Sequence, residues 1–145
     1  RKDKNVKIEK SVNQLIKEEE KFGIKNFKTY QDFGDKVYKI RENVIKNLKK
    51  LKENGEEIVG YGAPAKATTA LNFFGISNQI EYIIEDNNLK HNKFVPGVNI
   101  PIYSKKKNKT KNKIVLVLAW NFFNEIKKKL SSDYRRIINI KDLEK

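Results

Sequence analysis

The sequence has 145 residues, a mass of 17.0 kDa and a net charge of +14, which fits one domain with a buried core and is too short for two complete enzyme domains. It contains no cysteine and one histidine, which excludes disulfides, thiolate metal sites and cysteine nucleophiles and disfavours a transition-metal site. No apolar run approaches the ~18 residues that cross a bilayer and no signal peptide is recognisable, so we expect a cytoplasmic protein with no membrane partner.

The positive charge invites a comparison with nucleic-acid-binding proteins. Such proteins gather Lys and Arg on one face beside residues that read bases, whereas here the lysines accompany 17 asparagines and many isoleucines. All three residue types have A/T-rich codons, so genome composition accounts for much of the surplus. We therefore disfavour nucleic acid as a partner. The most basic segment, residues 104–113, has no apolar anchor and is interpreted as an exposed, mobile connection, with anion binding as the less favoured alternative.

Two amphipathic helices are predicted at the start of the chain. In the first, apolar side chains recur near 3.6-residue spacing over residues 5–22, and Gly23 follows as a stop signal. The second is about 25 residues long, ends near Asn54 and Gly55, and carries a stripe of apolar side chains three or four positions apart: Tyr30, Phe33, Val37, Ile40, Val44, Leu48 and Leu51. We expect residues 1–54 to form a helical linker region that packs on the domain that follows, or else on a preceding domain.

From residue 55 onward, short apolar runs alternate with helical or turn segments, which predicts a Rossmann-like α/β domain over residues 55–145. The predicted strands cover residues 56–61, 80–86, 100–104, 113–120 and 135–140. We expect about five mostly parallel strands with right-handed crossovers. The helix after the first strand has Pro64 in its first turn and Gly75 as its C-terminal cap, and the helix after the fourth strand has Asn121 as its N-cap.

The most informative motif is the turn IVGYGAPAKATT at residues 58–69, where a strand passes into a helix. Gly60, Gly62 and Ala65 fit the spacing G-x-G-x-x-G/A, in which the glycines permit a tight turn and close approach of the backbone to a phosphate. The helix N-terminus offers unpaired N–H groups to an anion, and Lys66 adds charge there. By spacing alone, the turn serves a dinucleotide, a nucleotide-sugar or only a sharp corner.

Side chains near the ends of the other strands are further candidates. Glu85 and Asp86 follow Gly60 by about 25 residues, and they either accept hydrogen bonds from sugar hydroxyls or cap the loop. Trp120 ends a strand on the side where open α/β sheets bind ligands, and it is equally well explained by packing. The single histidine, His91, has no apparent carboxylate partner, so we interpret it as a surface or hydrogen-bonding residue rather than a general base.

Read in order, three segments resemble the C-terminal domain of sugar C-methyltransferases that use S-adenosylmethionine. The segments are GYGAPAKATTALNFFGI, IEYIIEDNNLKHNKFVPGVNIPI and VLVLAWNFFNEI, and the resemblance spans about residues 56–130. It implies that the chain, which opens on Arg1 and contains no Met, is a piece of a longer protein. It also implies that a zinc-binding module and a methyltransferase domain holding S-adenosylmethionine precede this chain, which itself binds no cofactor.

In enzymes of this family, a base removes the proton beside a keto group of a nucleotide-linked deoxysugar, and the enolate attacks the cofactor methyl group. The C-terminal domain helps to hold the nucleotide diphosphate end of that substrate. The resemblance therefore implies that the present chain binds a nucleotide-diphosphate sugar and works with the upstream methyltransferase domain. Because the sequence shows no second Gly-rich cofactor strand and no convincing base, we expect no catalytic residue in this chain and no methyl transfer by it alone. Two alternatives stay open: a stand-alone nicotinamide-dinucleotide domain and a basic nucleic-acid-binding module.

The resemblance also implies which residues bind the substrate. The phosphate-side turn comprises Gly60, Tyr61, Gly62, Ala63, Pro64, Ala65 and Lys66. The remaining positions are Glu85, Asp86 and Asn87 at the next strand end, His91, the loop residues Pro96 and Gly97, and Trp120 and Asn121 after the fourth strand. Members of the family often have Gln where His91 stands and Pro where Asn88 stands. We expect the backbone amides near Gly60 and Gly62 to face the diphosphate.

Overall fold

A computed structural model describes residues 8–105 and 112–145. The predicted start of the first helix near residue 5 and residues 106–111 of the basic segment lie outside this range. The chain divides into two compact units, Arg1–Tyr38 and Lys39–Lys145. The domain boundary predicted between residues 54 and 55 stays a prediction. None of the described helices is long and apolar enough to span a membrane.

The first unit contains helix α1 (Lys10–Phe22) and the beginning of helix α2 (Phe27–Glu53). α1 ends where the sequence predicts, because Gly23 adopts the left-handed conformation at φ 87° and its N–H bonds to carbonyls of the last helical turn. The connection to α2 is fixed by the Thr29 hydroxyl, which donates to the Gly23 carbonyl at 2.9 Å, and by the Tyr30 hydroxyl, which donates to the Ile24 carbonyl at 2.6 Å.

The second unit is built on a six-stranded sheet that confirms the predicted α/β class. Its strands are β1 (Ile58–Tyr61), β2 (Ile83–Ile84), β3 (Lys93–Phe94), β4 (Pro101–Tyr103), β5 (Ile114–Val117) and β6 (Arg136–Asn139). They lie in the order β3-β4-β2-β1-β5-β6, and every neighbouring pair is parallel except β3 with β4. The parallel strands therefore spread outward from β1 in both directions, as in a Rossmann-like sheet. The sequence did not predict β3, the antiparallel edge strand.

Two further helices follow sheet strands: α3 (Ala65–Phe74) follows β1, and α4 (Phe123–Leu130) follows β5. Gly75 caps α3 at φ 67°, as predicted, whereas Pro64 is the N-cap residue and precedes the first turn. The prediction of Asn121 as the N-cap of α4 is wrong. The Phe122 N–H bonds to the Ala119 carbonyl at 2.9 Å, so the chain first forms a short 3-10 turn and α4 begins after Phe122.

The core forms two clusters, because alternate residues of each strand point to opposite faces of the sheet. In β5, Ile114 and Leu116 belong to one cluster and Val115 and Val117 to the other. The first cluster also contains apolar residues of α3 and of the C-terminal half of α2, including the fully buried Val44 and Leu48. The second contains Ile126 and Leu130 of α4. Helices thus cover both faces of the sheet and leave the carboxyl ends of the strands open.

Candidate functional site

A cleft of about 430 Å³ opens at the carboxyl ends of β1, β2 and β5. The chain passes from β1 to β2 on one side and later enters β5 on the other, so the strand order reverses at β1. Ligands of open α/β sheets bind in the crevice at such a point. The residues that line the cleft are Tyr61, Gly62, Pro64, Lys66, Glu85, Asp86, Lys90, Ala119, Phe122, Glu125, Ile126 and Lys129.

The structure brings together part of the predicted site. The predicted residues in the lining are Tyr61, Gly62, Pro64, Lys66, Glu85 and Asp86. Those outside it are Gly60, Ala63, Ala65, Asn87, His91, Pro96, Gly97, Trp120 and Asn121. Ala63 and Pro96 line a neighbouring depression of about 200 Å³, and Gly97, at φ 82°, packs against the side chain of Asn72 on α3. Asn87 accepts the Leu89 N–H at 3.0 Å and so starts a short 3-10 turn.

One wall of the cleft, formed around α4, was not predicted from the sequence. Phe122, Glu125, Ile126 and Lys129 all line the cleft. Their positions correspond to i, i+3, i+4 and i+7, which is the spacing of residues on a single helical face. The sequence pattern could therefore have predicted this wall, because a helix that begins at the carboxyl end of a central strand has one face directed at the crevice beside that strand end. Lys90 had no comparable signal, because its position depends on how the loop after β2 folds.

The two glycines of the turn are required by close packing. A Cβ atom on Gly60 would lie 2.9 Å from Cγ1 of Ile83 on the adjacent strand. Gly62 has φ 86°, and a Cβ atom there would lie 2.9 Å from Cβ of Ala119. Distances this short do not occur between real atoms of these types, so a larger residue would displace β1 from its neighbours.

Among the amides near Gly60 and Gly62 that we expect to face a diphosphate, those of the two glycines themselves are already paired within the sheet. The Gly60 N–H donates to the Tyr82 carbonyl at 2.8 Å, and the Gly62 N–H donates to the Ile84 carbonyl at 2.8 Å. Both bonds belong to the pairing of β1 with β2, which continues one residue beyond the end of β1 at Tyr61. These two amides are therefore unavailable to an anion.

Glu85 fastens the turn to the end of β2. Its carboxylate accepts the N–H groups of Ala63 at 2.8 Å, Asp86 at 2.9 Å and Asn87 at 3.1 Å, and the Lys90 ammonium lies 3.6 Å away. Burial acts to raise the pKa of Glu85, but the backbone donors and Lys90 outweigh it, so the pKa lies below its usual value. Both carboxylate oxygens accept backbone N–H groups of the protein, so Glu85 caps the loop, which is the second of the two alternatives derived from the sequence.

Lys90 and His91 hold the same loop from its other side. The Lys90 ammonium donates to the Ala63 carbonyl at 2.9 Å. Nε2 of His91 lies 2.7 Å from the Glu85 carbonyl oxygen, and since a carbonyl only accepts, Nε2 carries the proton and donates. His91 is thus a hydrogen-bonding residue, as the sequence interpretation favours, and it lies outside the cleft lining.

Asp86, an exposed residue of the cleft lining, connects the ends of β1 and β2 with α4. One of its oxygens, Oδ2, accepts the Tyr61 hydroxyl at 2.7 Å and the Lys129 ammonium at 2.6 Å. Burial acts to raise the pKa of Asp86, but the bonds from Lys129 and Tyr61 prevail and the pKa is lowered. Burial and the neighbouring Asp86 raise the pKa of Tyr61 far above its usual value. Tyr61 therefore stays protonated and acts as a hydrogen-bond donor.

The N-terminus of α3 carries the donors that remain free. The Pro64 carbonyl accepts the N–H groups of Ala67 and Thr68 at 2.9 and 3.3 Å. Within residues 8–105 and 112–145, the N–H groups of Ala65 and Lys66 have no hydrogen-bond acceptor. The Lys66 ammonium lies 4.4 Å from the centre of the Trp120 ring and has no carboxylate partner among the same residues. Two amides and one ammonium thus remain available for an anion.

The cleft has the chemistry of a binding site for an anion with an apolar neighbour. Of the residues with free donors, Lys66 lines the cleft on the α3 side and Ala65 directly precedes it in the chain, and Phe122 and Ile126 line the α4 side. No cluster of His, Cys, Asp and Glu suited to a metal ion occurs in the part of the chain that the structure describes. The two acids at the end of β2 are engaged in bonds to the protein itself, and neither is placed as a free base.

Comparison with known proteins gives two matches. The model of the family described as C-methyltransferase C-terminal domain matches residues 1–137. The chain is also 30% identical over 121 residues to C-methyltransferase NovU of Streptomyces niveus, a match that covers 82% of this chain and 29% of that protein. The chain therefore spans less than a third of the length of this curated relative.

Proposed function

We propose that this chain, which belongs to the C-methyltransferase C-terminal domain family, holds the nucleotide diphosphate end of a nucleotide-linked deoxysugar in the cleft. In this proposal, methyl transfer from S-adenosylmethionine takes place on another domain of the same protein. The match covers only 29% of NovU, so the larger part of such a protein lies outside this chain. The contribution of the present chain is to bind and orient the substrate.

The observation that carries the proposal is the set of free donors at the start of α3. A diphosphate placed there would accept the N–H groups of Ala65 and Lys66 and would lie near the Lys66 ammonium. The partial positive charge of the ten-residue helix adds to the attraction. A hydrogen bond to a charged group contributes about 1.5–3 kcal/mol, so two amides contribute about 3–6 kcal/mol. Because association itself costs free energy, we expect the affinity for a diphosphate alone to be weak, in the millimolar range.

The rest of the cleft supports this function by keeping the turn rigid. Glu85, Lys90 and His91 fix the loop that faces α3, so the anion site requires little ordering when the ligand arrives. Phe122 and Ile126 offer apolar surface across the cleft, suited to the flat or apolar parts of a nucleotide-sugar.

In the part of the chain that the structure describes, no residues are arranged to hold the zinc ion or the cofactor ribose that the family resemblance implies for the complete protein. The whole sequence has no cysteine, and the described residues contain no metal-ligand cluster. The carboxylate that would bind a cofactor ribose at the end of β2, Glu85, accepts three backbone N–H groups instead. We therefore assign zinc and S-adenosylmethionine, which supplies the methyl group, to the other domains.

The experiment is a calorimetric titration with thymidine diphosphate and other nucleoside diphosphates at moderate salt. We expect Lys66→Ala to weaken binding at least about tenfold, since it removes one charged contact of about 1.5–3 kcal/mol. Lys128→Ala is the matched control, because Lys128 is an exposed lysine outside the cleft lining, and its affinity should stay within about twofold. Failure of both this chain and the complete protein to bind any nucleoside diphosphate at millimolar concentration would contradict the proposal.

Titration of the same chain with NAD, NADP and oligonucleotides tests the two alternative functions. A stand-alone dinucleotide domain would bind NAD or NADP more tightly than a nucleoside diphosphate, and a nucleic-acid-binding module would bind oligonucleotides with a steep salt dependence. The occupied carboxylate of Glu85 disfavours the first alternative, because the ribose of a dinucleotide is normally held by a free acid at this strand end.

A further inference from the structure

Large apolar side chains lie exposed along the first unit of the chain. We call them the N-terminal apolar surface: Ile8, Val12, Leu15, Ile16, Phe22, Phe27, Tyr30, Phe33 and Tyr38. Helix α1 buries none of its residues. Water-soluble proteins rarely leave so many large apolar groups exposed in one short segment, and such surfaces mark interaction sites.

The two halves of the apolar stripe of α2 differ in burial, which indicates that the exposed half packs against another protein surface. The stripe runs along the whole helix with a spacing of three or four residues. In the second half, Val44 and Leu48 are 0% exposed, because the core of the sheet domain covers them. In the first half, Tyr30 is 56% and Phe33 is 67% exposed. The apolar stripe extends over both halves of α2, but the described residues bury only its C-terminal half.

We infer that the N-terminal apolar surface packs against the methyltransferase domain of the same protein, an inference that rests on the proposed function. The family model includes residues 1–137, so both helices belong to the family's domain and are not an unrelated extension. The matched C-methyltransferase has most of its length outside the match, which provides a cover of sufficient size. The surface would thereby fix how the substrate-binding domain meets the domain that transfers the methyl group.

The charge of α1 argues against a lipid membrane as the cover. Helices that lie on anionic membranes carry an excess of Lys and Arg on the polar face. The sequence of α1, KSVNQLIKEEEKF, has three lysines and three glutamates, so its net charge is zero. A protein surface is therefore the better match.

Cysteine labelling tests the inference, because this chain has no native cysteine. Leu15→Cys and Phe33→Cys place a thiol within the N-terminal apolar surface. Lys17→Cys is the matched control, since two residues along a helix correspond to about 200°, which places it on the opposite, exposed face of α1. The substituted positions are all exposed, so the variants should fold. Maleimide labelling at each introduced thiol is followed by mass spectrometry.

In the complete protein, we expect positions 15 and 33 to label at least tenfold more slowly than position 17, whereas in this chain alone the three rates should be similar. Equal rates in the complete protein would overturn the inference. Protection in this chain alone that grows with protein concentration would identify a second copy as the cover, and protection only with anionic vesicles would identify a membrane; either result would also overturn it. The assay needs no nucleotide, so loss of diphosphate binding with protection retained would refute the proposed function alone.

Discussion

Glu85→Gln tests whether one carboxylate holds the turn beside the cleft. Oε1 of Glu85 accepts the amides of Asp86 and Asn87 at 2.9 and 3.1 Å, and Oε2 accepts the Ala63 amide at 2.8 Å. A glutamine keeps one acceptor oxygen, so at least one of these donors would face an NH₂ group. A hydrogen bond to a charged group contributes about 1.5–3 kcal/mol, and the lower part of this range applies here because the Ala63 bond is only partly buried and the other two are exposed. We expect the free energy of unfolding at pH 7 to fall by roughly 1.5–2.5 kcal/mol.

The size of this loss should depend on pH, because the pKa of Glu85 in the folded protein lies below its usual value. A carboxylate with a lowered pKa stabilises the fold above its unfolded-state pKa of about 4.3, and the stabilisation disappears as the pH falls through the folded-state pKa. Urea unfolding of the wild type and Glu85→Gln should therefore differ most at pH 7, and the difference should shrink progressively as the pH falls below about 4.3 toward the lowered pKa of the folded state.

The control is Glu125→Gln, since Glu125 is exposed and has no hydrogen-bond or ion-pair partner within residues 8–105 and 112–145. It lies in the first turn of α4, where a carboxylate contributes only about 0.3–1 kcal/mol. A loss below about 1 kcal/mol for Glu85→Gln at pH 7, or an equally large loss at pH 3, would refute the assigned role of Glu85.

Four further substitutions test individual contacts of the fold. Gly60→Ala should lower the free energy of unfolding in urea by about 1–3 kcal/mol, because its Cβ would lie 2.9 Å from a buried strand side chain. The control is Gly34→Ala in α2, where a Cβ meets nothing within 4 Å, and it should raise the stability of the helix by about 0.5–1 kcal/mol. Equal changes in the free energy of unfolding for Gly60→Ala and Gly34→Ala would contradict close packing at Gly60. Tyr61→Phe removes a donor to Asp86 at 2.7 Å, so the pKa of Asp86 in an NMR titration should rise, and an unchanged pKa would count against the bond. Asn47→Ala removes two 3.0 Å bonds to carbonyls at the C-terminus, and thermal unfolding should show a loss of about 1–2 kcal/mol, with no loss as the contrary result.

The sequence predicted the fold wherever local patterns are strong. Apolar spacing located α1 and α2, and Gly23 and Gly75 marked helix ends because only their left-handed conformations close the last turn. Uninterrupted apolar runs located the five parallel strands. The two-residue strand β3 was missed because Lys93 and Phe94 are exposed and pair only at the sheet edge, which leaves no periodic signal.

The site was predicted less completely, for a physical reason. The Gly-x-Gly spacing locates the turn, but it does not reveal that β2 pairs one residue beyond the end of β1 and takes up the amides of Gly60 and Gly62. Nor does sequence spacing reveal that Glu85 uses both oxygens on its own loop. Hydrogen-bond partners that are distant in sequence are set by register and loop conformation. The free donors therefore lie three and four residues downstream of Gly62, at Ala65 and Lys66.

The most direct test of the central claim is an NMR titration of the backbone amides with a nucleoside diphosphate, set beside the same nucleoside without phosphate. If the N-terminus of α3 holds the diphosphate, the largest diphosphate-dependent shifts will be those of Ala65 and Lys66, and the unphosphorylated nucleoside will leave these two amides nearly unchanged. Saturable binding that shifts amides elsewhere while Ala65 and Lys66 stay unchanged would contradict the claim.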